Sequence, residues 1–359
     1  MGKTRKKNQD IKVVDLFCGV GGLTHGLVLE GFDVTAGVDN DETCRYAFET
    51  NNKAAFINKN IAEFGATELN NLFGNAKIKV LVGCAPCQPF SALNRQKVTH
   101  RATHERWQPL VHFMELIAKT KPDIVSMENV PDLADEKKYP IFFQFTNSLI
   151  ANGYKVSYRV VDISRYGVPQ KRRRLVLLAS KHGEIALIPE THTSDNLVTV
   201  RDAIGQLRPI KDGECDPKDP LHRASKLSEL NRKRIRATPK DGGSATSWDR
   251  SLLPKCYRRK SGKSFMVTVY GRMKWNSPSP TMTTQCVTLG TGRYGHPTQN
   301  RAISLREAAL FQSFPKNYQF ERPENIAMNL TAKHIGNAVP VLLGRAIGKS
   351  IKKHLEGVA

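Results

Sequence analysis

The sequence predicts an α/β fold: a mostly parallel, doubly wound sheet in the first half of the chain, followed by a smaller, irregular domain. Three observations predict it. Short apolar runs alternate with helically spaced segments as far as residue 180, the order that strand–helix–strand units produce. Near residue 185 this rhythm stops, and Pro, Gly and charged residues become dense. At 359 residues the chain also exceeds one ordinary core, and about 150 residues per domain gives roughly two.

The elements follow in order. Val13–Phe17 is an apolar run that stops at a glycine cluster, and Leu23–Glu30 starts a helix. Val34–Val38 is a second strand, followed by a helical stretch from Asp41 to Asn51. Lys79–Gly83 reads as a buried strand and Ser91–Arg106, polar and basic without periodicity, as a long loop. Leu110, Phe113, Met114 and Ile117 recur at helical spacing over Gln108–Thr120, and Pro122 ends that helix. Ile124–Met127, Lys155–Val161 and Leu175–Ala179 complete the strands. From Thr331 the helical pattern returns, with Pro340 near a helix start. The expected domains are a basic arm (1–10), a catalytic and cofactor-binding domain (11–189), an irregular domain (190–325) and a C-terminal helix returning to the first (326–359).

Composition narrows the function. Hydrophobic content of 40% and charged content of 25% are globular values and exclude wholesale disorder. No apolar run approaches the roughly 20 residues of a membrane span, and the N-terminus has no apolar signal region, so a cytoplasmic protein without a membrane partner is expected. Seven cysteines argue for free thiols rather than a disulfide framework. The 55 Lys and Arg outnumber the 33 Asp and Glu, a net charge of +22 that points to a polyanionic partner, most simply nucleic acid. Lys226–Lys263 alone carries twelve basic residues against three acidic ones, with Trp248 and Tyr257 interleaved. That concentration makes 190–325 the expected DNA-facing domain, although core packing is the better reading of the two aromatic residues.

Four motifs carry chemistry. Phe17-Cys18-Gly19-Val20-Gly21-Gly22 lies at a strand-to-helix turn, where glycines let the backbone approach a ligand. Asp39, 22 residues after Phe17, ends the next strand and suits ribose hydroxyls. Thr24 stands where a dinucleotide fingerprint has its third glycine, so the pattern suits a nucleoside cofactor without a pyrophosphate; a plain tight turn is the alternative. Next, Cys84-Ala85-Pro86-Cys87-Gln88 follows a buried strand. A redox pair or half a zinc site competes there with a single nucleophilic cysteine. No second Cys-x-x-Cys or His pair completes a zinc site, so no metal is expected. Cys84 reads as buried and structural, whereas Cys87 would need basic neighbours to form a thiolate. Third, Glu128-Asn129-Val130 ends another strand and places a carboxylate at the crevice where α/β ligands bind. Last, Gln170-Lys171-Arg172-Arg173-Arg174 runs into a strand that would set Arg172 and Arg174 on one face.

In this order the elements resemble the DNA (cytosine-5) methyltransferase family, in its bacterial modification form. The matching blocks are Phe17-x-Gly19-x-Gly21-Gly22, Pro86-Cys87-Gln88, Glu128-Asn129-Val130, Gln170-x-Arg172-x-Arg174, Arg306-Glu307-Ala308-Ala309 with Gln312-x-Phe314-Pro315, and Gly336-Asn337-Ala338-Val339-Pro340. They span about residues 11 to 350. The resemblance implies a Rossmann-like, S-adenosylmethionine-dependent methyltransferase domain and a target-recognition domain over 190–325. It further implies that Phe17 stacks near the adenine, that Asp39 holds the ribose, and that Asn337 touches the methionine end. Cys18, Gly19, Gly21, Gly22 and Pro86 complete the cofactor set. Asn40 and Asn60, the latter before Ile61, stand where relatives carry other residues at the adenine edge.

The implied reaction is methyl transfer to C5 of a flipped-out cytosine in a specific duplex DNA sequence. Cys87 is the nucleophile at C6 and Glu128 the partner of N3, with Arg172 at the pyrimidine O2 or beside Cys87, and Arg174 and Gln170 in support. Gln88, Ser91, Arg95 and Arg101, with Arg258, Arg259 and Lys260, are the expected DNA contacts; Thr281 stands near the flipped base. A transfer-RNA cytosine methyltransferase is the alternative. A monomer is expected, nucleoid-associated when bound to double-stranded DNA, with a restriction or other defence system as companion.

Overall fold

A computed structural model describes residues 10–86, 100–254 and 269–357, with backbone only over 100–106. The chain folds into two compact units. The first runs to Tyr166 and includes Arg173–Thr191 and Val339 onward; the second comprises Gly167–Arg172 and His192–Ala338.

The first unit is built on seven strands: β1 (Ile11–Leu16), β2 (Asp33–Asp39), β3 (Ala55–Asn58), β4 (Ile78–Gly83), β5 (Ile124–Asn129), β6 (Lys155–Asp162) and β7 (Arg173–Ser180). Their order is β3-β2-β1-β4-β5-β7-β6, parallel except that β7 runs antiparallel to both neighbours. Val13, Val14, Leu16, Val80, Leu81 and Val82 are fully buried, as both-face covering of a parallel sheet requires. Helices α1 (Gly22–Leu29), α2 (Arg45–Asn52), α3 (Ala66–Phe73), α4 (His100–Thr120), α5 (Pro140–Ala151) and α10 (Val341–Glu356) complete this unit. Chain direction across the sheet reverses between β1 and β4, so the carboxyl ends of those two strands border the crevice where open α/β sheets bind ligands.

Three local departures from the sequence reading have clear causes. Helix α4 begins at His100, inside the segment read as loop, because its first turns are basic and show no apolar period. Arg172 precedes β7, which starts at Arg173, so it does not share a strand face with Arg174. Helix α5 falls where the sequence reading named no element; it begins at a proline, which suits a first turn whose N–H groups have no partner.

In the second unit, α6 (Val200–Ile204), the β8–β9 hairpin (Cys215–Asp216, Asp219–Arg223), α7 (Glu229–Ala237), α8 (Leu305–Phe311) and α9 (Met328–Asn337) are joined by long irregular stretches. Irregular backbone leaves carbonyls that need donors. Arg272, 1% exposed, supplies them: its guanidinium donates to the carbonyls of Ile235, Thr238, His296 and Gln299 and to Asn300 Oδ1. Burial pushes its pKa down, to about 10. Arg301 grips Glu307 with two hydrogen bonds of 2.7 Å, and Glu307 in turn accepts from the Ser304 N–H that opens α8. Arg234 is buried against Trp248 and Tyr270. Arg234, in the basic stretch, and Arg272, beyond it, are therefore internal scaffolding, and Trp248 packs in the core, donating to Thr238 Oγ1 at 2.9 Å.

Candidate active site

The glycine turn follows β1 directly. Phe17, Gly19 and Gly21 all have positive φ (59°, 50° and 82°), a tight reversal that glycine adopts at little cost. A Cβ on Gly19 would meet no described atom within 4 Å, so the backbone there is open to a ligand. The half-buried Phe17 ring lies edge-on to Phe113 at 6.3 Å. Gly21 caps α1, and Gly22 is its first residue. Cys18 faces inward against β2, and burial first, then Asp15 and Asp39, push its thiol pKa well up; it stays protonated and unreactive.

Asp39 ends β2 with both carboxylate oxygens engaged. Gly19 N–H donates to Oδ2 at 2.8 Å and Asp41 N–H to Oδ1 at 2.9 Å, so the same side chain shapes the turn. Burial raises its pKa, opposed by these two N–H groups. Each oxygen retains acceptor capacity for a hydroxyl. Asn40 is exposed, while Asn60 Oδ1 accepts from Ala62 N–H at 3.1 Å and opens a helical turn at buried Ile61. An open glycine turn beside an acceptor-rich carboxylate fits the ribose and chain of a nucleoside cofactor.

The second cluster lies at the carboxyl ends of β4 and β5. Their register pairs Gly83 with Met127, which sets Cys84–Pro86 beside Glu128–Val130. Glu128 is 3% exposed, and Arg174 Nε forms an ion pair with its Oε1 at 2.8 Å. Such an ion pair in a nearly dry site compensates the burial of the carboxylate. Asn129 Nδ2 donates to Ala85 O at 3.1 Å and ties the two strand ends together. The sequence reading of Cys84 as a packing residue needs correcting: it is only half-buried, and its Sγ donates to Glu128 Oε2 at 2.9 Å. No local pattern signals this contact, because it depends on register between residues 44 positions apart.

Pro86 is exposed and is the last described residue before the nucleophile assigned from the sequence. Cys87, Gln88, Ser91 and Arg95 lie outside the described residues, as do Arg258, Arg259, Lys260 and Tyr257. Arg101 is on the backbone of α4, with its side chain outside them.

Four candidates belong to the second unit. Gln170 is fully buried; its Nε2 donates to Phe311 O and Gln312 Oε1, and its Oε1 accepts from Met282 N–H. Arg172, also buried, donates through Nη1 to Met282 O at 2.9 Å and Gly336 O at 3.4 Å. Thr281 Oγ1 donates to Lys171 O at 2.8 Å. Asn337 is exposed at the end of α9.

The profile of the family described as C-5 cytosine-specific DNA methylase matches residues 11–353. Type II methylase M.HgiDII of Herpetosiphon aurantiacus is 50% identical over 346 residues, covering 96% of each chain. Type II methyltransferase M.MthTI of Methanothermobacter thermautotrophicus is 28% identical over 97% of this chain and 99% of its own. Among solved structures, a prophage-encoded protein of E. coli superposes with a TM-score of 0.71 at 22% identity over 96% of this chain and 99% of its own. Entamoeba histolytica methyltransferase EhMeth gives 0.66 at 16%, over 96% and 99%. At these identities the structures speak to the fold.

Proposed function

The chain belongs to the C-5 cytosine-specific DNA methylase family, and from that premise we propose that it methylates C5 of a flipped-out cytosine within a specific duplex DNA sequence. The observation that carries this reading is Glu128, held by Arg174 at the carboxyl end of β5, beside the β4 end that leads into Cys87.

Cytosine C5 is a weak nucleophile, and attack of a thiolate at C6 enriches it, provided that a proton is held at N3 as charge develops there. Cys87 forms the S–C6 bond, and Glu128 holds the proton at N3. Arg174 anchors the Glu128 carboxyl group through Oε1. S-adenosylmethionine, when bound over the glycine turn and Asp39, supplies an electrophilic methyl group for C5. Loss of the C5 proton then breaks the S–C6 bond and returns Cys87 as thiolate. A base inside a stacked duplex offers none of these atoms at the needed angles, so the target is extruded from the helix.

DNA rather than transfer RNA is supported by the family description and by the type II relatives, which also make a bacterial modification role, in the cytoplasm and paired with a restriction activity, the best reading. The irregular domain over 190–325 is proposed to choose the DNA sequence. Transfer of labelled methyl groups from S-adenosylmethionine to unmethylated duplex DNA, and not to transfer RNA, is the expected result. Labelling of transfer RNA alone would reverse the assignment.

A further inference from the structure

The Cys-x-x-Cys block leaves one thiol without a task in this reaction, and its surroundings suggest one. Cys84 is the first residue beyond β4, and its N–H donates to Leu16 O at 3.2 Å, so the sheet fixes its backbone. Its Sγ lies 2.9 Å from Glu128 Oε2, while Arg174 Nε holds Oε1 at 2.8 Å. A carboxylate held on one oxygen can still pivot about that contact. Held on both, it has a fixed plane.

Packing is the ordinary role of a buried cysteine, which behaves as a small hydrophobe with a weak S–H donor. Here the thiol is half-buried and its sulfur meets a carboxylate oxygen. Asn129 Nδ2 on Ala85 O fastens the next residue of the same segment to β5, so the thiol and the carboxylate are locked in one frame.

We infer that Cys84 is a positioning residue for Glu128: its thiol donates to Oε2 and sets the carboxyl plane that meets N3 of the target base. The inference rests on the reading of Glu128 as the N3 partner. It assigns the two cysteines different work, Cys87 on the base and Cys84 on the acid.

The test uses the full chain with S-adenosylmethionine and unmethylated phage DNA, which samples every short recognition sequence. First-turnover methyl transfer and DNA affinity are measured for Cys84→Ala, Cys84→Val and Cys84→Ser, each also in a Glu128→Gln background. Ala and Val are expected to slow transfer about tenfold with DNA affinity unchanged. Ser, which still donates, is expected to stay within about threefold of the parent. In the Glu128→Gln background the Cys84 changes should add little, since residues that act as a unit are not additive. A Val variant as fast as the parent would show that the thiol only fills space, and equal losses in Ser and Ala would show that donation is irrelevant. Either result overturns the inference. If Glu128→Gln itself leaves transfer intact, the reading of Glu128 fails separately.

Discussion

Asp15 lies within β1, just before the glycine turn, and is 1% exposed. Thr24 Oγ1 donates to its Oδ2 at 2.6 Å, while Oδ1 has no hydrogen-bond partner among the described residues. Burial, with Thr24 opposing and Asp39 adding, pushes its pKa up to about 7. A carboxyl whose folded pKa is raised gives stability that is complete below the unfolded value near 3.8 and is lost as pH rises through about 7. Asp15→Asn removes that penalty. Its stability relative to the parent should therefore climb between about pH 4 and 7, by up to about 4 kcal/mol, as the shift in pKa converts. Urea unfolding at a series of pH values measures it, and parallel curves would show that the Asp15 pKa is the same in the folded and unfolded chain. Residues at strand ends were legible in the sequence: Asp39 and Glu128 each follow a run that can only be a strand. What Cys84 and Asn129 touch was not, because side-chain partners across β4 and β5 are set by register, which apolar composition on both faces leaves open.

Helix α10 returns from the far end of the chain to cover α1, and small residues let it come close. A Cβ on Gly26 would lie 2.6 Å from Arg345 N, Gly344 C and Val341 O, all backbone atoms that cannot give. Gly344 faces Leu23 and Gly26 in the same seam, and Arg345 Nε donates to Glu30 Oε1 at 2.6 Å beside it. Gly26→Ala should destabilise the protein by about 1–3 kcal/mol, the usual range for overpacking, despite the better helix propensity of alanine. Chemical denaturation checks it, and a neutral or stabilising change would mean that the two helices separate at little cost. The existence of α1 and α10 was readable from apolar spacing. Their pairing, over 300 residues apart in sequence, was not. Antiparallel β7 was also missed: residues 163–172, between β6 and β7, are too short for a helical crossover, and that length argued for an antiparallel return.

For the whole molecule, the parallel sheet and its crevice followed from the alternation of runs and the glycine turn, and the net charge of +22 pointed to the polyanion. The second unit resisted reading because its order comes from side chains rather than periodic backbone. Arg272, Arg301 and Arg234 look in sequence like the rest of the basic surface, yet all three are buried, two of them serving carbonyls and aromatic faces and one a carboxylate. Charge counting thus overstates what faces a phosphate backbone. Glu307 shows the consequence: burial alone would raise its pKa, but Arg301 and His296 bring it down to about 2. If Cys87 adds to cytosine C6 as proposed, a C5 proton must be expelled before the enzyme is released. Fluorine at C5 cannot leave as a cation, so transfer of the methyl group should strand the protein on DNA. Duplex DNA carrying 5-fluorocytosine, incubated with S-adenosylmethionine and then denatured, measures this directly. A covalent complex should form with the native chain and be absent with Cys87→Ser, whose hydroxyl is far less ionised at neutral pH. An adduct that persists in Cys87→Ser would contradict the account.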